Sequence, residues 1–290
     1  MNASLIANPA AGNKAHRFIS GIETLLKQKA SLTTFITRQK RDAFEFALNI
    51  SDTDLIVVAG GDGTFNEVLN GVLSSSDIRL KETPLALIPL GTTNVLAREL
   101  RIPQKADKAI ELALTGKPGK VSLGRINGWY FASMAGIGFD AETVLGVKNN
   151  LIKKVSGKAA HIVSGFRVLA QYNPPAIKIK TPENEYAGYT AVVGNASNYG
   201  GYFHVTPAAS VTEPILDVCI FNSRKRKDLL RFIGGVIAGR HLYLKDVSYF
   251  KTRGLEITSG GTVHIQVDGD YFGILPAKID VVRDAISIVR

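Results

Sequence analysis

Residues 54–73 read DLIVVAGGDGTFNEVLNGVL: an apolar run, a glycine-rich turn holding one aspartate, then Phe65, Val68, Leu69 and Val72 recurring at i, i+3, i+4 and i+7. Strand, tight turn and helix start follow one another. Such a junction cradles anions, because glycines let the backbone approach phosphate oxygens while free N–H groups and the helix dipole at the helix start favour negative charge. Asp62 needs a separate account, since a carboxylate among phosphate-binding amides repels phosphate unless a cation intervenes. Its expected role is to position magnesium or water around a nucleoside triphosphate. A tight turn in which Asp62 only caps the helix explains the same five residues, Gly60 to Thr64. Neither a P-loop GKS/GKT nor a dinucleotide GxGxxG fingerprint is present here.

Outward from this junction the first part of the chain alternates short apolar runs with helical periodicity. SLIA, a helix over about 14–29, LTTFIT, a helix near 42–49, DLIVVA, a helix after Gly63, and LALIP form a βαβα pattern, which predicts a parallel sheet covered by helices. Two further loops sit at carboxyl ends of these strands: Asn8, Pro9, Ala10, Ala11, Gly12 after the first, and Gly91, Thr92, Thr93, Asn94 after LALIP. In open α/β sheets those ends form the ligand crevice, so the three loops converge on one expected site, with Thr37 at the end of LTTFIT as a fourth contributor. Helix capping by Asn or Thr accounts for any one loop alone.

From about Val121 the stretches WYFASMA, AIKIK, YTAVVGNA, ILDVCIF, LEITS, TVHIQVD and AKIDVV are strand-like, with helical stretches near 158–170 and 227–238. The expected organisation is an α/β nucleotide-binding domain over 1–120 and a β-rich, antiparallel, sandwich-like domain over 121–290, with the C-terminal tail packing back on the first. A chain of 290 residues is long enough for two such cores. With 45% apolar and 21% charged residues it is neither disordered nor a coiled coil.

The formal charge of +10 favours anionic partners. Between Glu142 and Glu183 there is no acidic residue, while Lys148, Lys153, Lys154, Lys158, Arg167, Lys178 and Lys180 fall there, and Arg224, Lys225, Arg226, Lys227 and Arg231 form a second cluster. Leu151, Ile152, Val155, Ile162, Val163 and Phe166 are interleaved with the first cluster, a pattern that suits either an anionic membrane surface or an ordinary helix packed on a sheet. Cys219 stands alone, which excludes an intrachain disulfide and a multi-thiolate zinc site. His161, His204 and His241 have no metal-binding spacing. MNASLIANPAAG lacks the features of a secretory signal, and no apolar run approaches the ~20 residues needed to cross a bilayer, so a cytoplasmic protein is expected.

The sequence resembles bacterial lipid kinases of the diacylglycerol kinase catalytic-domain family, which also holds sphingosine and ceramide kinases. Asn8 to Gly12 resembles the family's NPxxG loop, Gly60 to Asn66 its GGDGTxN loop, and Gly91 to Asn94 its GTxN loop. Gly138 to Ala141 resembles its GFDA segment and Val267 to Asp270 its VDGE segment. GGDGT is shared with NAD kinases, which do not account for NPAAG and GTTN together. The resemblance implies transfer of the γ-phosphoryl group of ATP, with Mg2+, to a lipid hydroxyl such as that of diacylglycerol, in a cleft between the two domains. It implies nucleotide contacts from Asn8, Pro9, Ala10, Ala11, Gly12, Thr37, Gly60, Gly61, Asp62, Gly63, Thr64, Phe65, Asn66 and Thr92. Asp62 would orient toward the magnesium and phosphates. The second domain would supply an acidic pair, Asp268 and Asp270, to accept the hydroxyl proton; without the resemblance VDGDY reads as a β-hairpin turn.

The chain departs from the family pattern in three places. Asp270 stands where a glutamate is usual, Val95 where GTxN is followed by an acid, and Glu213 and Pro214 replace a DG pair in a stretch that in relatives binds a structural metal. That metal site maps onto Ser210, Glu213 and the carbonyl of Ile215. These departures leave open a catalytically silent nucleotide- or lipid-binding regulator of the same fold, which would bind ATP without turnover. The family also implies a lipid substrate at the inner membrane face, peripheral association there, and a homodimer. Nucleic-acid binding is not expected, because no recognisable motif is present and the aromatics do not interleave with the basic residues as a stacking surface.

Overall fold

The structure, a computed structural model, describes residues 1–12, 15–149, 169, 173–200 and 203–290. The chain divides into two compact units, residues 1–123 with 211–213 and 282–290, and residues 124–210 with 214–281.

The first unit runs β1 (Asn2–Ala7), α1 (Ala15–Lys27), β2 (Ser31–Ile36), α2 (Asp42–Leu48), β3 (Leu55–Gly60), α3 (Asp62–Ser74), α4 (Ile78–Glu82), β4 (Leu85–Pro89), α5 (Val95–Glu99) and α6 (Ala106–Thr115). Its strands pair in parallel in the order β2-β1-β3-β4. Both central strands are buried along their whole length, LIVVAG in β3 and LALIP in β4, as expected where helices cover both faces. The helices earn their places by spacing: Ile19, Ile22 and Leu26 bury one face of α1, and Phe65, Val68, Leu69 and Val72 one face of α3. Successive strands leave β1 in opposite directions, β2 on one side and β3 on the other. A topological switch point therefore lies between β1 and β3, the position at which open α/β sheets take their ligands.

The second unit is antiparallel. After β5 (Pro118–Ile126) come β6 (Trp129–Phe131), β7 (Met134–Ile137), α7 (Phe139–Asn149), β8 (Ile177–Lys180), β9 (Glu185–Gly188), β10 (Thr190–Gly194) and β11 (Leu216–Phe221). There follow α8 (Arg226–Ile237), β12 (Val247–Thr252), β13 (Gly254–Ser259), β14 (His264–Val267), β15 (Asp270–Ile274) and β16 (Ala277–Val289). One sheet has the order β12-β11-β10-β7-β14-β15. A second is built from β9, β8, β13 and the first residues of β16. Inward residues of both sheets share one core, among them Ile137, Val193, Val218 and Ile265 from the first and Ile177, Ile257 and Ile279 from the second.

The last residues of β16 return to the first unit, where Ile288 pairs with Leu85 in parallel and Arg290 and Lys117 exchange backbone hydrogen bonds.

Several elements differ from the sequence reading. WYFASMA is two strands, because the amides of Ala132, Ser133 and Met134 turn to the Asp268 carboxylate. Helices α4, α6 and α7 were not expected, and β16 runs well past AKIDVV. The helix expected near 158–170, like the apolar and basic residues interleaved over 151–167, lies outside the described residues except for Leu169, which is buried against Phe221 and Leu229.

Candidate active site

Three loops of the first unit come together at the carboxyl ends of β1, β3 and β4. The Asn8 side chain spans two of them: its Nδ2 donates to Thr64 Oγ1 at 2.9 Å, and its Oδ1 accepts from the Ala10 amide at 2.9 Å, closing an Asx turn over the start of the first loop. Thr37 is buried, with its amide on the Ala7 carbonyl at 2.9 Å, so the end of β2 is tied to the same edge.

The second and third loops touch backbone to backbone. A Cβ added at Gly91 would lie 2.6 Å from the Gly61 Cα, so Gly91 has no room for a side chain while the loops keep this approach, and one at Gly61 would sit tightly, 3.2 Å from the Gly91 Cα. Asp62 locks the pair, accepting the Val95 amide on Oδ1 at 2.7 Å and thereby capping α5 from the start of α3. Asn94 completes the third loop at φ 50°, its Nδ2 donating to the Gly91 carbonyl at 2.9 Å and to Gln104 Oε1 at 3.2 Å. Its Oδ1 is buried without a hydrogen-bond partner among the described residues. Gly63 and Thr92 are exposed, while Phe65 and Asn66 are buried in α3. The sequence suggests a cation for Asp62; its bond to Val95 is invisible there, because every residue but proline brings the same amide to position 95.

Asp62 is the sole carboxylate in the stretches 8–12, 60–66 and 91–94. Such a set suits magnesium held chiefly by phosphate oxygens and water, and does not suit a cage made only of protein ligands.

In the second unit, Asp268 and Gly269 form the two-residue turn between β14 and β15, with φ 48° and 87°. Positive φ at both positions is the geometry that Asp-Gly favours. The Asp268 carboxylate accepts the amides of Ala132, Ser133 and Met134 at 2.8, 2.8 and 3.0 Å. Asp270 opens β15, half-buried. The two acidic residues of the expected pair thus stand in different settings, one enclosed by backbone donors and one at the mouth of the hairpin.

The sequence reading used the GFDA segment only as a marker of resemblance. Here Asp140, near the start of α7, accepts from Gln266 Nε2 on Oδ2 at 2.6 Å and from the Tyr199 hydroxyl on Oδ1. Tyr199 belongs to no motif and was missed. Burial, with the Asp140 charge adding to it, holds the Tyr199 phenol well above its ordinary range, so it stays a donor. Ser210, Glu213 and Ile215 lie on the turn leading into β11, with Glu213 exposed. His204 is exposed, and His241 is buried with Nε2 2.9 Å from the Val205 carbonyl and its ring edge-on to Phe232.

Glycine-cradled loops at the switch point of a parallel sheet, one carboxylate among them, place the first unit in the phosphate-binding α/β class. Residues 2–126 match the family described as diacylglycerol kinase catalytic domain, and residues 133–290 match the family described as YegS C-terminal NAD kinase beta sandwich-like domain. The chain belongs to this family of two-part lipid kinases. A diacylglycerol kinase of Bacillus subtilis (strain 168) is 28% identical over 283 residues, covering 95% of this chain and 92% of that protein. One of Staphylococcus epidermidis is 28% identical over 293 residues, covering 99% and 91%. A crystal structure from Bacillus anthracis str. Sterne aligns over 99% of this chain and 94% of its own with a TM-score of 0.80 at 25% identity. A second, of a diacylglycerol kinase from the same organism, gives 0.75 at 22% identity and shows the shared fold.

Proposed function

We propose that this lipid kinase transfers the γ-phosphoryl group of ATP to the hydroxyl of diacylglycerol or a related neutral lipid. The observation that carries the reading is the closure of the Gly61 and Gly91 loops under the Asp62–Val95 bond, beside which Gly63 is exposed in the first turn of α3. The names of the relatives support the lipid acceptor.

Asn8 to Gly12, Thr37, Gly60 to Asn66 and Thr92 hold the nucleotide, backbone amides at the start of α3 taking phosphate oxygens. Asp62 carries the negative charge toward which Mg2+ is drawn. When bound, the cation neutralises phosphate charge that would otherwise repel the incoming oxygen. Asp270 accepts the proton of the lipid hydroxyl as that oxygen bonds to phosphorus and ADP leaves. Asp268, which accepts three backbone amides, holds the turn that carries Asp270. The shorter Asp270 requires the hydroxyl to come about one methylene nearer than a glutamate would. Ser210, Glu213 and the Ile215 carbonyl offer one carboxylate and two neutral oxygens, a set suited to a weakly held structural magnesium or calcium.

The purified protein, incubated with magnesium, γ-labelled ATP and mixed micelles of a total bacterial lipid extract, is expected to label a lipid that then names the acceptor. ATP-induced thermal stabilisation with no labelled lipid would overturn the transfer reading in favour of a silent nucleotide-binding regulator. Absence of ATP binding would remove the nucleotide assignment as well.

A further inference from the structure

Two segments that stand 126 residues apart, GFDA and VDGD, are one hydrogen-bonded device in the second unit. Tyr199 donates to Asp140 Oδ1, Gln266 Nε2 donates to Asp140 Oδ2 at 2.6 Å, and Gln266 Oε1 accepts the amide of Gly269 at 2.8 Å. Each polar end of the Gln266 side chain is therefore committed, and its orientation is fixed by chemistry: the oxygen faces an N–H and the amide nitrogen faces a carboxylate. Gln266 is 2% exposed and Asp140 9% exposed, so a broken link leaves a desolvated polar group. The fold makes room for this chain. Gly136 is the cross-strand neighbour of Gln266, and a Cβ there would stand 1.8 Å from Asp140 Oδ2.

The chain ends at the residue before Asp270. With Asp268 gripped by three amides on one side and Gly269 held by Gln266 on the other, both residues of the turn are pinned. We propose that Tyr199, Asp140 and Gln266 are positioning residues for phosphoryl transfer, fixing the Asp270 carboxylate where it meets the lipid hydroxyl. The proposal rests on Asp270 as the proton acceptor. Misplacing a reacting group by about 1 Å costs on the order of a hundredfold, so a network that only holds a turn still governs the rate.

The test is kinetic. Gln266→Met keeps the length and removes both hydrogen bonds; kcat is expected to fall at least about tenfold while the KM for ATP stays within about twofold. Asp140→Asn combined with Gln266→Glu exchanges the two functional groups: the new amide donates to the new carboxylate, which still accepts from Gly269. This pair is expected to recover kcat to within about threefold of the parent. In an Asp270→Asn background Gln266→Met should add less than about threefold, because both act through one group.

Each contrary outcome is specific. Full activity in Asp270→Asn removes the base assignment and the proposal with it. A slow Asp270→Asn beside a normal kcat in Gln266→Met removes the positioning role alone. Multiplying effects in the double variant, or no recovery in the exchanged pair, also overturn it. Circular dichroism and thermal melting verify folding; should Gln266→Met fail to fold, Tyr199→Phe, which deletes one hydroxyl, is expected to lower kcat severalfold at unchanged KM for ATP, and an unchanged kcat overturns the proposal.

Discussion

At Asp62 the oxygen that accepts the Val95 amide and the charge that we propose draws Mg2+ belong to one group, and substitution separates them. Asparagine keeps the acceptor and loses the charge, so Asp62→Asn is expected to slow phosphoryl transfer by about a hundredfold or more with melting within about 2 °C of the parent. Alanine loses both. Asp62→Ala strands the amide of a buried residue, a cost of about 1–3 kcal/mol that calorimetry should record as a melting drop of several degrees. Cys219 shows the opposite use of a reactive atom: the thiol is 2% exposed on β11 and burial pushes it up to about 12. Thiolate is the attacking form, so at pH 8 only about one molecule in 10⁴ carries it. Titration with an aromatic disulfide is expected to find no thiol in the native protein and one after denaturation. A prompt native reaction would contradict this burial.

Elements carry the approach of the Gly61 and Gly91 loops, which belongs to the starts of α3 and α5 together. Gly91→Ala forces those starts apart, and the KM for ATP is expected to rise at least about tenfold, checked by steady-state kinetics. How far the sequence reveals such elements follows from their surroundings. β3 and β4 are buried on both faces and so appear as unbroken apolar runs, and the spacing in α3 marks its buried side. The meeting of the three loops is legible for a different reason: each alone reads equally as a turn or a cap, but all three follow strands at the same end of one parallel sheet. What stays hidden is tertiary. The break in WYFASMA is caused by Asp268, over a hundred residues away, and β16 carries Arg283 and Asp284 in mid-strand, with φ 49° at Asp284, where charges imitate a turn. Gln266 looks like one more alternating strand residue, and nothing local to Tyr199 announces Asp140.

For the whole molecule the +10 charge has a described location in part: Arg224, Lys225, Arg226 and Lys227 are exposed at the start of α8. Leu230, Ile237 and Tyr243 are exposed along and after the same helix, at 49%, 64% and 87%. No described helix is long and apolar enough to cross a membrane. Peripheral attachment by cations and a few apolar side chains predicts co-sedimentation with vesicles containing anionic lipid, weakening as salt is raised from about 0.05 to 0.5 M. Binding equally to neutral vesicles at any salt would exclude that attachment. The order in which the chain is made adds a constraint of its own. The segment 282–290, with Ile286, Ile288 and Val289 buried, belongs to the same unit as residues 1–123, which are synthesised long before it. While the ribosome is still producing the sandwich, the loops after β1, β3 and β4 have already emerged on a sheet whose β4 edge still lacks its β16 partner, so the unit translated first closes only after the second has been made.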